Sequence, residues 1–170
     1  VIATLQALSV RRATGAADWR AAAELLHEYA GWIRTATTFD PFVEQPSFAV
    51  ELGDLARHYS TRDVALFIAH LGGQPVGTVA IACHPDRSAE LKRMYVRPIA
   101  RRQGVADALL SDAITLAARR KCTHVWLETV RGPMDAAIAV YHRNGFRIVE
   151  DADPTIDVRD VVVMRRAATR

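Results

Sequence analysis

Residues 91–121 leave few folds open, because a β-rich run passes through a proline and an arginine-rich glycine turn directly into a long amphipathic helix. Leu91, Met94, Tyr95 and Val96 carry strand-forming side chains, and Pro98 removes a ladder donor and ends the strand. Over residues 103–121, Val105, Leu109, Ala113 and Leu116 share one helical face. Between the two stands Arg97-Pro98-Ile99-Ala100-Arg101-Arg102-Gln103-Gly104-Val105-Ala106. A strand that runs straight into a helix leaves the first helical N–H groups unpaired and aimed at the turn. Together with the positive end of the helix dipole, those donors favour a phosphate or pyrophosphate. Gly104 and Ala106 leave room for a ligand to approach the backbone, and Arg97, Arg101 and Arg102 add cationic donors suited to phosphate oxygens. The same residues also fit a plain tight turn with solvated arginines around it. The segment is neither a P-loop, since no Gly-Lys-Ser/Thr follows, nor a Rossmann fingerprint.

The elements around this unit narrow the fold class. Residues 8–12 read as a first strand. From Asp18 the apolar positions Trp19, Ala22, Ala23, Leu26, Ala30 and Ile33 recur at helical spacing, with a stop expected near Gly31. Residues 35–46, with two prolines, read as a loop, and residues 48–59 as a helix through Leu52, Leu55 and Tyr59. Two β-rich runs, 64–70 and 76–83, flank Gly72-Gly73-Gln74-Pro75 and predict a hairpin. A strand over 125–130, a helix over 134–143, a strand over 146–149 and a last strand over 160–164 complete the chain. A hairpin-rich first half followed by alternating strands and helices implies a mixed sheet covered by helices.

The chain has 170 residues, 50% apolar and 24% charged, enough for one core and one domain over residues 1–170. Lys and Arg total 22 against 19 for Asp and Glu. The resulting charge demands neither a nucleic acid nor a membrane partner, and the arginines gather at one turn instead of forming an aromatic-interleaved stripe. Cys83 and Cys122 lie far apart without paired spacing, which argues against a zinc site or a disulfide scaffold; no metal and a cytoplasmic location are expected. No apolar run approaches the ~20 residues of a membrane span. Residues 1–10 lack a charged leader region and a cleavage site, so no signal peptide is expected.

Three stretches in fixed order carry a closer likeness: Glu90-Leu91-Lys92-Arg93-Met94-Tyr95-Val96-Arg97-Pro98, then Arg101-x-x-Gly104-x-Ala106, then Ala137-Ile138-Ala139-Val140-Tyr141-His142-Arg143-Asn144-Gly145-Phe146. Over residues 90–149 the chain resembles the GCN5-related N-acetyltransferase (GNAT) family. The first stretches are similar to its central strand and pyrophosphate turn, the last to its closing helix and Gly-Phe step into the next strand. The resemblance implies an α/β (α+β mixed) fold with a central, mostly antiparallel twisted sheet of about six to seven strands flanked by about four helices. It implies acetyl-CoA (coenzyme A) as cosubstrate and transfer of its acetyl group to a primary amine of a small molecule by direct attack. A protein or peptide amino group, or a non-catalytic acyl-CoA-binding role, are the alternatives, and the family's habits allow a homodimer.

Site residues follow from the same resemblance. Backbone groups of Met94, Tyr95 and Val96 would bind the pantetheine arm as a pseudo-strand where the sheet splays beside a bulge. Arg101, Arg102, Gln103, Gly104, Val105 and Ala106 would hold the pyrophosphate. Tyr141 matches the tyrosine that serves many members as general acid, a phenol that is protonated at neutral pH; its other reading is a packing residue. Glu90 stands where relatives often place a base acting through water, and its other reading is a strand-end carboxylate paired with Arg87 or Lys92. Glu128 is the next candidate base; His27, His84 and His142 fit surface or capping roles better. Met134 occupies the position where many members carry an asparagine that contacts the coenzyme. The acceptor pocket is expected from residues 29–48, where Trp32, Phe39, Phe42 and Phe48 either hold an apolar acceptor or belong to the core.

Overall fold

The computed structural model of the protein describes residues 6–149 and 160–169. Strand β1 (Leu8–Arg12) is followed by α1 (Ala16–Ala36), three short helices α2 (Pro41–Glu44), α3 (Pro46–Gly53) and α4 (Leu55–Tyr59), and strands β2 (Val64–Leu71), β3 (Gln74–Cys83) and β4 (Ser88–Val96). A 3-10 turn at Pro98–Ala100 leads to α5 (Val105–Arg119), β5 (His124–Val130), α6 (Asp135–Arg143), β6 (Arg147–Ile148) and β7 (Val161–Ala167). The seven strands form one sheet in the order β1-β2-β3-β4-β5-β7-β6. All neighbours are antiparallel except β4 and β5.

The near-continuous apolar runs of the central hairpin arise because both faces of the sheet are covered. On β2, Ala65, Phe67 and Ala69 pack with α5 residues Val105, Leu109, Leu110 and Ala113. Their alternates Leu66 and Ile68 pack with Leu25 and Leu26 of α1 and with Phe48, Leu55 and Tyr59 of α3 and α4. Strand periodicity of two thus divides one sequence run between two cores. The hairpin turns at Gly72 and Gly73, whose φ of 57° and 82° lie in the left-handed region.

The structure departs from the sequence-based expectation in the helices. α1 runs through Gly31 to Ala36, because Ile33 is still buried and nothing crowds the glycine. It ends where the Thr37 N–H and hydroxyl both turn back to the Ile33 carbonyl. The segment expected to be a loop contains α2, started by Asp40 accepting the Phe42 N–H (2.9 Å) with Pro41 in the first turn. The helix expected over 48–59 is broken at Gly53 and Asp54; Asp54 instead caps α4 by accepting the Arg57 N–H (3.0 Å). These short helices bring the described helices to six, more than the four expected. The last strand extends past Met164 to Ala167. Residues 1–5 of the expected leaderless start lie outside the described residues, and no helix among the described residues is long and apolar enough to cross a membrane.

Candidate active site

The sheet opens between its two parallel strands. β4 and β5 pair only from Ser88, Ala89 and Glu90 to His124, Val125 and Trp126, after which they part. The cause on one side is a bulge in β4. Thr78 pairs with Tyr95 and Ala80 with Lys92, so Arg93 and Met94 together stand opposite Val79. Arg93 there adopts a left-handed φ of 57°, and a bulge of this kind increases local twist and bends its strand away. On the other side, β5 is paired with β7 along its whole length, from His124↔Ala167 to Val130↔Val161. The Arg97 N–H returns to the Val76 carbonyl (2.8 Å), so strand alternation aims the N–H of Val96 at the gap. An unpaired strand edge inside a gap is where an extended amide-bearing ligand can add as a further strand.

The bulge is anchored from the opposite wall of the site. Arg93 Nη2 and Nε donate to the Glu51 carboxylate (2.9 to 3.3 Å), and Nη1 donates to Gln45 Oε1 (3.2 Å). Tyr59 donates its hydroxyl to the same carboxylate. The Arg93 guanidinium also stacks over Phe48, 4.4 Å from the ring centroid. Burial alone would raise the Glu51 carboxyl, but the Arg93 hydrogen bonds and charge outweigh it and hold Glu51 below the usual carboxylate range. Sequence reading did not single out this pair. Its trace is Glu51 standing between Phe48 and Leu55 on the apolar stripe of the α3–α4 region, a core position for an ionised side chain.

The turn after β4 has the backbone that a bound phosphate needs. Arg102 (φ 62°) and Gly104 (φ 78°) are both left-handed, Gly104 is the N-cap of α5, and nothing lies within 4 Å of where a Cβ would stand on Gly104. Arg101 Nε donates to the Val96 carbonyl (3.1 Å). Among the described residues the exposed Arg102 side chain has no hydrogen-bond partner. Arg97 differs from expectation: its guanidinium forks onto Glu28 (2.7 to 3.1 Å) and donates to the Pro75 carbonyl (2.7 Å), which ties α1 to β3 and leaves it no phosphate role. Asp107, in the first turn of α5, accepts from Arg143 (2.8 Å) and Asn144 (2.7 Å). Those bonds, Arg143's first, hold its carboxyl below the ordinary value and fasten the end of α6 to the turn.

The gap, the turn and the α2–α3 segment enclose one cavity of about 1800 Å³, larger than the ~300–1,000 Å³ of a single-ligand pocket. Met94, Tyr95 and Val96 line it from the bulged strand, with Glu90 at the strand's paired beginning. Arg101, Arg102, Gly104, Val105 and Ala106 line it from the turn, and Tyr141 from α6. Gln103 does not line it; its amide folds back onto the Ile99 carbonyl (2.9 Å). The aromatic residues of the expected acceptor region divide: Trp32 and Phe39 line the cavity, whereas Phe42 and Phe48 pack against each other at a tilt, with centroids 5.3 Å apart, as part of the core.

Tyr141 is 6% exposed, and burial raises its phenol well above the ordinary value, with the nearby Tyr29 phenol adding to the effect. It therefore stays protonated across the neutral range. Glu90 Oε2 lies 3.8 Å from His84 Nε2 and 3.9 Å from Lys92 Nζ, so the pairing with Lys92 is present and Arg87 instead donates to the Lys121 carbonyl. Glu128 is exposed and lines the cavity. His27 Nδ1 donates to the Ala23 carbonyl (2.7 Å) and His142 Nδ1 to the Phe146 carbonyl (3.1 Å), both backbone roles. Met134 is the N-cap of α6 without a side-chain cap, and its sulfur accepts from the hydroxyl of the buried Thr129 (3.5 Å), so this position gives the cavity a thioether in place of an amide. The described residues hold no cluster of three or more His, Cys, Asp or Glu suited to a metal ion.

A parted β4–β5 edge leading to a left-handed glycine turn at a helix start defines an acyl-CoA-dependent transferase fold. The acetyltransferase (GNAT) family model matches residues 20–146, and the chain belongs to that family; it is an acetyl-CoA-dependent acetyltransferase. Solved structures agree in fold. A GNAT-family acetyltransferase from Staphylococcus aureus Mu50 superposes with a TM-score of 0.73 at 20% identity, covering 95% of this chain and 99% of that one. PaiA N-acetyltransferase from Thermoplasma acidophilum, in complex with coenzyme A, gives 0.74 at 19% identity, covering 95% and 99%. Nourseothricin acetyltransferase gives 0.54 at 26% identity, covering 62% and 66%. No curated protein matches the sequence.

Proposed function

We propose that the protein transfers the acetyl group of acetyl-CoA to a primary amine of a small molecule. The supporting observation is the continuity of one cavity from the Gly104 turn, along the open edge of β4, to Tyr141 and onward to Trp32 and Phe39. The pyrophosphate would sit on the α5 N-terminus with Arg101 and Arg102 beside it. The pantetheine amides would add to the β4 edge at Met94, Tyr95 and Val96, and an edge N–H such as that of Val96 would polarise the thioester carbonyl.

The acceptor nitrogen, approaching from the α2–α3 side, attacks the thioester carbon; the N–C bond forms and the C–S bond breaks. The proton lost by the amine passes through water to Glu90, and Tyr141 donates its phenolic proton to the departing sulfur. Solvent then restores the Tyr141 proton and Glu90 releases its own. A small acceptor, as opposed to a protein amino group, is favoured by the cover that α2 and α3 place over this end of the cavity.

The decisive experiment is titration calorimetry of the purified protein with acetyl-CoA, followed by turnover on a panel of small amines. Saturable binding is expected. Gly104→Asp, which places a side chain and a negative charge where φ is left-handed, is expected to weaken binding at least about tenfold. Absence of coenzyme binding by the unsubstituted protein overturns the reading.

A further inference from the structure

At the other end of the strands from the Gly104 turn lies a second cavity, of about 410 Å³, within the size range of a small-ligand pocket. Three arginines from three elements meet there: Arg12 closes β1, Arg62 precedes β2, and Arg120 follows α5. No carboxylate lines this cavity; the remaining polar walls are Thr14, Ser60 and Thr61, with Trp19 on one side. Several arginines elsewhere have acidic partners: Arg11 has Asp18, Arg93 has Glu51, Arg97 has Glu28 and Arg143 has Asp107.

Here the cations are left over. Arg12 uses one terminal nitrogen, Nη2, on the carbonyls of Tyr59, Thr61 and Val64 (2.7 to 3.5 Å), which shapes the rim and leaves its other donors unused. Arg120 Nε is buried with no hydrogen-bond partner among the described residues, a state that costs free energy unless a ligand or solvent fills it. The exposed Arg62 has no partner among the described residues either. Three like charges around a concave surface repel each other and raise the local concentration of anions. Planar guanidinium forks match the oxygens of a phosphate.

We infer that this cavity is a second ligand site, built for a phosphate group, and separate from the coenzyme site by the length of α5, about 22 Å for 15 residues. Its volume exceeds that of inorganic phosphate, and Trp19 supplies an apolar wall, so a phosphomonoester with a small organic body fits it best. The cavity borders α1 and the C-terminal end of α5, the helix whose other end forms the pyrophosphate turn.

The test uses the intact protein with coenzyme A present in excess, so that the Gly104 turn is filled, and two probes, inorganic phosphate and phenyl phosphate. Binding is read from the indole N–H resonance of Trp19 in proton–nitrogen correlation spectra, assigned with Trp19→Phe among the three tryptophans. This local readout stands whether or not coenzyme A binds. A saturable shift is expected with phenyl phosphate, weakened about tenfold or more by Arg62→Gln and by Arg120→Met. Both substitutions leave the Arg12 carbonyl contacts in place, and unchanged thermal melting of each variant separates lost binding from lost folding. Tighter binding of phenyl phosphate identifies an organic phosphate, and equal binding of the two probes identifies the free ion as a sufficient ligand. The inference is overturned if neither probe shifts Trp19 saturably, or if the shift persists in the doubly substituted protein.

Discussion

Replacing Glu51 by Gln tests the claim that a buried ion pair holds the bulge of β4. Glu51 is 2% exposed and the Arg93 side chain 10%. Three donor contacts from Arg93 and the Tyr59 hydroxyl meet the carboxylate. The amide keeps the shape of the side chain but leaves the Arg93 cation in the interior without a counter-charge, a change that costs about 3–5 kcal/mol. Against a total stability of about 5–15 kcal/mol, that is about a fifth or more of the folding free energy, and it corresponds to a fall in Tm of about 10 °C for a chain of this size. Urea unfolding followed by circular dichroism at pH 7 measures it directly. Because the folded carboxyl of Glu51 lies below its ordinary value of 4.5, its contribution is complete above that value and is lost as pH falls through the folded pKa. The difference between wild type and Glu51→Gln must therefore shrink in acid. Removing both charges, with Glu51→Leu and Arg93→Met, is expected to recover part of the loss. A Glu51→Gln protein within about 0.5 kcal/mol of wild type at pH 7, or a difference that grows toward acid, refutes the reasoning.

Gly77→Ala places a Cβ 2.9 Å from the Tyr95 carbonyl and 3.2 to 3.3 Å from Leu109 and Val105; backbone cannot yield cheaply, and a loss of about 1–3 kcal/mol in urea unfolding is expected. Tyr141→Phe is expected to lower kcat about 100-fold or more while acetyl-CoA affinity stays within about twofold, since only the acidic proton is removed; unchanged kcat would exclude Tyr141 as the acid. Burial and the neighbouring Cys122 thiol push the Cys83 thiol up to about 12, so alkylation of the folded protein by iodoacetamide at pH 8, followed by mass spectrometry, should run on the order of a thousandfold slower than for an exposed cysteine.

What could be read in the sequence was whatever local chemistry decides. β1 and the central hairpin were legible because apolar alternation and the Gly72-Gly73 turn act over a few residues, and the Gly104 turn because strand, glycine and helix follow one another directly. Arg97 was misread because its partner, Glu28, stands 69 positions away, and composition around the turn gives no sign of it. The helices between 41 and 59 were misplaced because Gly53 and Asp54 interrupt an otherwise continuous apolar stripe. The opening between β4 and β5 depends on a register shift against β3 and on β7 occupying the far edge of β5, pairings that no local pattern encodes; it was anticipated through family resemblance alone.

The location of the Glu51–Arg93 pair has a consequence for how such a site can vary. Arg93 is at once a residue of the bulge that bares the β4 edge and, through Glu51 and Gln45, a partner of the helices that wall the proposed acceptor end. A left-handed φ at a residue with a side chain is costly, and the buried carboxylate offsets that cost only while α3 keeps its place. The residues around this end of the cavity therefore divide into those tied to the bulge, Glu51 and Gln45 among them, and those that are not. Among the described residues, Phe39 and Glu44 face the cavity and make no hydrogen bond to the bulge or its anchor, so substitutions there are expected to alter which amine fits without disturbing the β4 edge, whereas Trp32 lies 5.9 Å from the Arg101 guanidinium that holds the Val96 carbonyl and is coupled to that edge. A substitution at Glu51 moves both together, and kcat should fall along with stability even though Glu51 itself does not line the cavity.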